Sequence, residues 1–217
     1  MGRRIDLRLC VITDLEMSGS RRLEQVVLDA IEGGATMVQY RDKAASMRER
    51  YERASPLCSI VKGKGVPLIV NDHADLALAL NADGIHLGQD DLPAAVARRI
   101  LGERSIIGVS VGSVAETHQA ERDGADYVSI GPLYATQTKP DAGPVVSRET
   151  VTEVAHTARI PVVAIGGINA SNVAQVMALG VSGVAVISAI MASENPMLAA
   201  REIADTMNVL RSDSSGN

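Results

Sequence analysis

The sequence predicts a single (β/α)8 barrel, the TIM-barrel architecture, and three observations carry that reading. Short β-branched runs recur eight times, and the segments between them include longer stretches of helical periodicity. The chain has 217 residues, a length that suits one compact α/β barrel, and no linker divides it. A weak internal echo supports repeated βα units: Asn81-Ala82-Asp83-Gly84-Ile85-His86-Leu87-Gly88 resembles Gly124-Ala125-Asp126-Tyr127-Val128-Ser129-Ile130-Gly131.

The strands are expected at 9–13, 37–41, 67–71, 84–88, 106–110, 127–131, 162–166 and 183–188. Amphipathic helices are expected between them, at 23–32, 48–62, 94–101, 114–123 and 172–179 among others. A doubly wound open sheet is the rival architecture, and the count of eight strands weighs against it. Residues 212–217 are small and polar and are expected to fray from a single domain spanning 1–217.

Composition narrows the chemistry. Hydrophobic residues make up 46% of the chain, with no Phe, no Trp and four Tyr, so the core must be aliphatic. That palette suits buried parallel strands and argues against a base-stacking platform for single-stranded nucleic acid. A net charge of −5 gives no global attraction for nucleic acid or an anionic membrane. A polyanionic ligand would therefore need a local cation cluster or a metal ion. Cys10 and Cys58 are too few for a disulfide framework and read as small buried hydrophobes. The basic start lacks the apolar run of a signal peptide, and no stretch approaches the ~20 apolar residues of a membrane span. A cytoplasmic enzyme is expected.

In a barrel the carboxyl ends of the strands and the loops after them hold the chemistry. Period-two alternation on the second strand puts Gln39 and Arg41 on one face, with Lys43 above them if the backbone stays extended. The third strand ends in Asn71-Asp72 and the fourth in Gly88-Gln89-Asp90-Asp91. One aspartate from each of these adjacent strands could share a magnesium ion, which takes few protein ligands and completes its shell with phosphate oxygens and water. Each aspartate could equally cap the helix after it. The Gly/Pro/Thr-rich segment 131–144 is long enough for a lid. Gly166-Gly167 and Ser188 follow strands seven and eight, where this architecture binds phosphate on backbone N–H groups. Two anion sites suggest two phosphorylated ligands. His73, His86, His118 and His156 have no partner at ligand spacing and are assigned to structure.

Gln39-Tyr40-Arg41-Asp42-Lys43, Val70-Asn71-Asp72, His86-Leu87-Gly88-Gln89-Asp90-Asp91, Gly108-Val109-Ser110, Gly131-Pro132, Thr136-Gln137-Thr138-Lys139, Gly166-Gly167-Ile168 and Ile187-Ser188-Ala189-Ile190 together resemble the thiamine-phosphate synthase family, in order and spacing. The resemblance implies a transferase that condenses a pyrimidine diphosphate with a thiazole phosphate, or its carboxylate form, using Mg2+. It implies that Gln39, Tyr40, Arg41, Asp42, Lys43, Asn71, Ser110 and Lys139 hold the pyrimidine diphosphate, with Arg41, Lys43, Ser110 and Lys139 taking part in catalysis. Thr136, Gln137, Thr138, Gly167, Ile187 and Ser188 match positions around the thiazole phosphate, and Asp72 and Asp91 match the metal ligands. Ser110 enters only through the resemblance. Alternatives are a TenI-type thiazole tautomerase on the same fold and a non-catalytic thiamine-precursor binding protein. Gly112 stands where many relatives carry the His that the tautomerases use nearby, and both aspartates are present. The oligomeric state stays open.

Overall fold

The structure is a computed structural model and describes residues 5–136, 138 and 143–214. Eight short strands pair in parallel and close on themselves in sequence order. They are β1 (Leu9–Ile12), β2 (Met37–Tyr40), β3 (Leu68–Asn71), β4 (Gly84–Leu87), β5 (Ile106–Val111), β6 (Tyr127–Ile130), β7 (Val162–Ile165) and β8 (Gly183–Val186). Closure is made by β1, where Cys10 is opposite Met37 of β2 on one side and Ala185 of β8 on the other. This excludes the open sheet and bears out the (β/α)8 expectation.

All eight expected strands are present, with small differences at their ends. The largest is in β8, which stops at Val186, because Ser188 already begins a helix. The helices are α1 (Leu15–Ser18), α2 (Leu23–Glu32), α3 (Met47–Gly63), α4 (Ala74–Ala79), α5 (Ala94–Leu101), α6 (Val114–Arg122), α7 (Arg148–Thr157), α8 (Val173–Met177), α9 (Ser188–Met191) and α10 (Pro196–Ser214). Helix α10 carries the chain through 214, and residues 215–217 of the expected tail lie outside the described residues.

Local chemistry starts these helices where it should. Ser46 and Glu49 form a reciprocal capping box on α3, and Ser113 and Ser147 cap α6 and α7. Pro56 lies inside α3 but on its exposed side, where water can satisfy the carbonyl left without an amide partner. The strands are buried on both faces, against the helices outside and the barrel interior within. Both cysteines are buried and free, and burial pushes the Cys10 thiol up to about 12. Among the described residues no helix is long and apolar enough to cross a membrane.

At the amino-terminal end of the barrel, Arg98 of α5 acts as a staple. Its guanidinium donates to the Ser105 and Gly124 carbonyls at 2.5 and 3.0 Å and to the Asp126 carboxylate at 2.7 Å. Asp126 Oδ2 also accepts the Ile107 amide at 2.8 Å, so one ion pair joins α5 to the starts of β5 and β6.

Candidate active site

Inward-facing residues two apart, such as Met37 and Gln39 on β2 or Tyr127 and Ser129 on β6, line the upper barrel. Several are small or polar, so the barrel is not filled to its mouth. A cavity of about 680 Å3 remains at the carboxyl end of the strands. Gln39, Lys43, Asn71, Asp72, Asp91, Ser110, Thr136, Thr138, Gly167, Ile187 and Ser188, all expected site residues, line this one cavity. Gln137 and Lys139 lie outside the described residues.

Three expected residues lie elsewhere. Tyr40 and Asp42 alternate to the opposite face from Gln39 and turn toward α3, where Asp42 pairs with Arg53 at 2.8 Å and accepts the Ala45 amide at 3.1 Å. Tyr40 donates to the Asp42 carboxylate at 3.4 Å. The pair therefore shapes the β2–α3 loop behind Lys43. Arg41 is buried beside β1, its amide donating to Thr13 Oγ1 at 2.9 Å and its guanidinium 3.9 Å from Asp14. It is not among the residues that line the cavity, although alternation from Gln39 places it there.

The carboxylate pair is the most demanding part of the cavity. Asp72 takes φ 63° at the end of β3, a left-handed conformation that Asp tolerates better than most residues. Its amide donates to the His86 carbonyl of β4 at 2.9 Å, and the turn brings its carboxyl into hydrogen-bonding reach of Asp91. Asp91 is itself held by the Gly88 amide, which donates to Oδ2 at 2.6 Å. Burial, followed by the hydrogen bond and charge of Asp91, raises the Asp72 carboxyl above its ordinary range. Lys43, 3.6 Å away but half exposed, offsets this only in part. Two converging carboxylates, with the charge of Asp91 acting on Asp72, suit a shared cation. Two carboxylates with room beside them are a donor set that fits magnesium, which takes few protein ligands and completes its shell with phosphate and water.

The opposite side of the cavity is built from backbone. Leu133 and Tyr134 amides donate to the Ile165 and Gly166 carbonyls at 3.0 and 3.2 Å, fastening the loop after β6 against the loop after β7. Gly167 has φ 66°, and a Cβ there would lie 2.7 Å from Tyr134 Cβ, so glycine is required on both counts. Thr138 donates its amide to Thr136 Oγ1 at 3.2 Å beside this loop. Ile187 and Ser188 open α9 on the adjoining strand. Among the described residues, hydroxyls and backbone with no carboxylate between them suit an anion.

The structure also adds residues the sequence reading left out. His86 lies inside the barrel, bonded through Nδ1 to Tyr127 at 2.9 Å and through Nε2 to Ser110 and Ser129 at 3.0 and 3.2 Å. Alternation from Gly84 would have pointed it inward. Glu116 of α6 reaches over the cavity rim to accept the Gly112 amide at 2.7 Å. His118 and His156 stay on the helices, bonded to Glu121 and to the Thr152 carbonyl.

A family model described as thiamine monophosphate synthase matches residues 9–190. The chain belongs to the thiamine-phosphate synthase family. A thiamine-phosphate synthase of Chloroflexus aurantiacus is 47% identical over 205 residues, covering 94% of each chain. One from Ruminiclostridium cellulolyticum is 47% identical over 195 residues, covering 90% of this chain and 92% of its own. The solved thiamine phosphate pyrophosphorylase from Pyrococcus furiosus superposes with a TM-score of 0.86 at 39% identity, over 95% of this chain and 98% of that one. The thiamine-phosphate synthase family thus accounts for the barrel.

Proposed function

We propose that this chain joins a (diphosphomethyl)aminopyrimidine to a thiazole phosphate, giving thiamine phosphate and pyrophosphate. The observation that carries this reading is the division of one cavity into two anion-binding sides. The Asp72–Asp91 pair and Lys43 form one side, and the backbone about Gly167 with Ser188 forms the other. Two phosphorylated ligands would meet between them. Such charged molecules do not cross membranes unaided, which suits a cytoplasmic reaction.

In the reaction the carbon–oxygen bond to the diphosphate breaks, its electron pair leaving with pyrophosphate, and the thiazole nitrogen supplies the pair for the new carbon–nitrogen bond. The pyrimidine's amino group feeds electrons to the methylene carbon as the leaving group departs, so no side-chain nucleophile is needed. Asp72 and Asp91 would hold magnesium, which when bound supplies positive charge for the diphosphate. Lys43 adds a cation at the same edge, with Arg41 behind it, and stabilises the charge that builds on the departing oxygens. Lys139, outside the described residues, is assigned the same task. Gln39, Asn71 and Ser110 line the wall where the pyrimidine ring would rest. Thr136, Thr138, Gly167 and Ser188 would anchor the thiazole phosphate and so hold its nitrogen near the methylene carbon.

Incubation with both substrates and magnesium, followed by oxidation and fluorescence detection of thiamine phosphate, tests the proposal. Product that depends on both substrates and disappears with a chelator is expected. No product under those conditions would overturn it.

A further inference from the structure

We infer that Tyr127 is a positioning residue: acting through His86, it makes Ser110 present its proton, and not a lone pair, to the pyrimidine ring. The inference deepens the proposed function and rests on its placement of the pyrimidine against Ser110.

Three neighbouring strands build the arrangement in register. His86 of β4 is opposite Gly108 of β5, and Gly108 is opposite Tyr127 of β6. A Cβ on Gly108 would stand 2.1 Å from Tyr127 Cζ and 2.5 Å from His86 Nδ1. Glycine leaves the opening through which phenol and imidazole meet across the middle strand, at 2.9 Å. Two residues further up, Ser110 of β5 is opposite Ser129 of β6. His86 Nε2 lies 3.0 Å from Ser110 Oγ and 3.2 Å from Ser129 Oγ, and the two hydroxyls are 3.4 Å apart.

The phenol has one proton and two partners, since the Gln39 side chain also bonds Tyr127. Burial pushes the Tyr127 hydroxyl well above its ordinary range, so the proton stays on it, while the Gln39 bond works in the other direction. In a neutral phenol–imidazole contact of 2.9 Å the phenol O–H is the stronger donor and the imidazole nitrogen the stronger acceptor, so Tyr127 donates its proton to His86 Nδ1 and its oxygen is left to accept from the Gln39 amide.

A neutral imidazole that accepts at Nδ1 carries its proton on Nε2. That proton goes to Ser110 Oγ, and Ser129, the more buried hydroxyl, donates to the same oxygen. With both lone pairs engaged, Ser110 directs its proton into the cavity. Reversal of the relay would place the imidazole proton on Nδ1, draw the Ser110 proton to Nε2 and show the cavity a lone pair. A pyrimidine ring nitrogen can only accept, so it is matched by the first sense alone.

The test is a long-range proton–nitrogen NMR spectrum of ligand-free protein labelled with 15N-histidine, for wild type and Tyr127→Phe. Wild-type His86 is expected as the Nε2–H tautomer. In Tyr127→Phe that preference should be lost, and kcat/KM for the pyrimidine diphosphate should fall about tenfold, the scale of one neutral hydrogen bond. KM for the thiazole phosphate should not change. An Nδ1–H tautomer in wild type overturns the inference, even if the variant does not fold. So does a folded Tyr127→Phe with unchanged tautomer and kinetics, or one that loses equally toward both substrates. The NMR result needs no substrate, so failure of the proposed reaction shows separately, as absence of thiamine phosphate from the wild-type assay.

Discussion

Replacing Asp72 by Asn should make the metal-free protein more stable while removing its activity. Asn keeps the shape of Asp and tolerates φ 63°, whereas Ala there would add a backbone cost of about 1–2 kcal/mol and obscure the result. Two carboxylates about 4 Å apart repel by about 4 kcal/mol at an effective dielectric of 20 and by about 1 kcal/mol in bulk water. The Asp72 side chain is 19% exposed, and its cation Lys43, at 3.6 Å, is 49% exposed and screened. Allowing for both, the net relief is on the order of 1–2 kcal/mol, or about 4 °C in melting temperature for a chain of this size. The pH dependence has a definite sign. The folded-state carboxyl is raised, so its stabilising contribution is complete below the unfolded value of about 3.9 and is lost as pH rises through the folded value. Circular-dichroism melts of both proteins in chelator between about pH 4 and 8 should therefore show a wild-type decline over that window which Asn lacks. Magnesium with pyrophosphate should raise the wild-type melting temperature and leave the variant unmoved. An Asn variant that melts below wild type in chelator at neutral pH, or one that keeps the full magnesium response, would refute the reasoning.

Lys43→Ala should reduce kcat/KM for the pyrimidine diphosphate by about 10- to 100-fold, with a melting temperature within about 2 °C of wild type because the side chain is half exposed; steady-state kinetics and melts check both. Gly167→Ala should raise KM for the thiazole phosphate by about tenfold, since a Cβ at φ 66° would meet Tyr134 and displace the loop, while KM for the pyrimidine stays near wild type. Arg98→Met should lower the melting temperature by about 6 °C, for the loss of about 2 kcal/mol of charge-assisted bonding, and leave kcat unchanged, because the staple is at the far end of the barrel from the cavity.

What could be read in the sequence follows from how a barrel distributes information. Strand positions were legible because strands buried on both faces must be runs of Val, Ile and Leu, as in Leu68-Ile69-Val70. The Asp72–Asp91 pair was legible because sequential strands are neighbours, so two strand-end aspartates must face a common space. Alternation correctly separated Gln39 from Tyr40, yet the resemblance brought the whole 39–43 segment into the ligand set, and the structure turns Tyr40 and Asp42 toward Arg53 of α3. Alternation put Arg41 on the face of Gln39, but β2 ends at Tyr40 and Arg41 bonds instead to Thr13 and Asp14, which follow β1 across a strand pairing. His86 shows where spacing rules fail. Its partners are 24, 41 and 43 residues away, so no search at metal-ligand spacing finds them, and a histidine without a sequence neighbour reads as structural. The missing information was register. Once β4, β5 and β6 are aligned, a glycine at 108 between His86 and Tyr127 becomes the mark of a side-chain bond through the sheet. In a parallel barrel, then, the residues that hold ligands can be sought along each strand. Those that orient them must be sought across the strands, where a small residue between two polar ones is the signal.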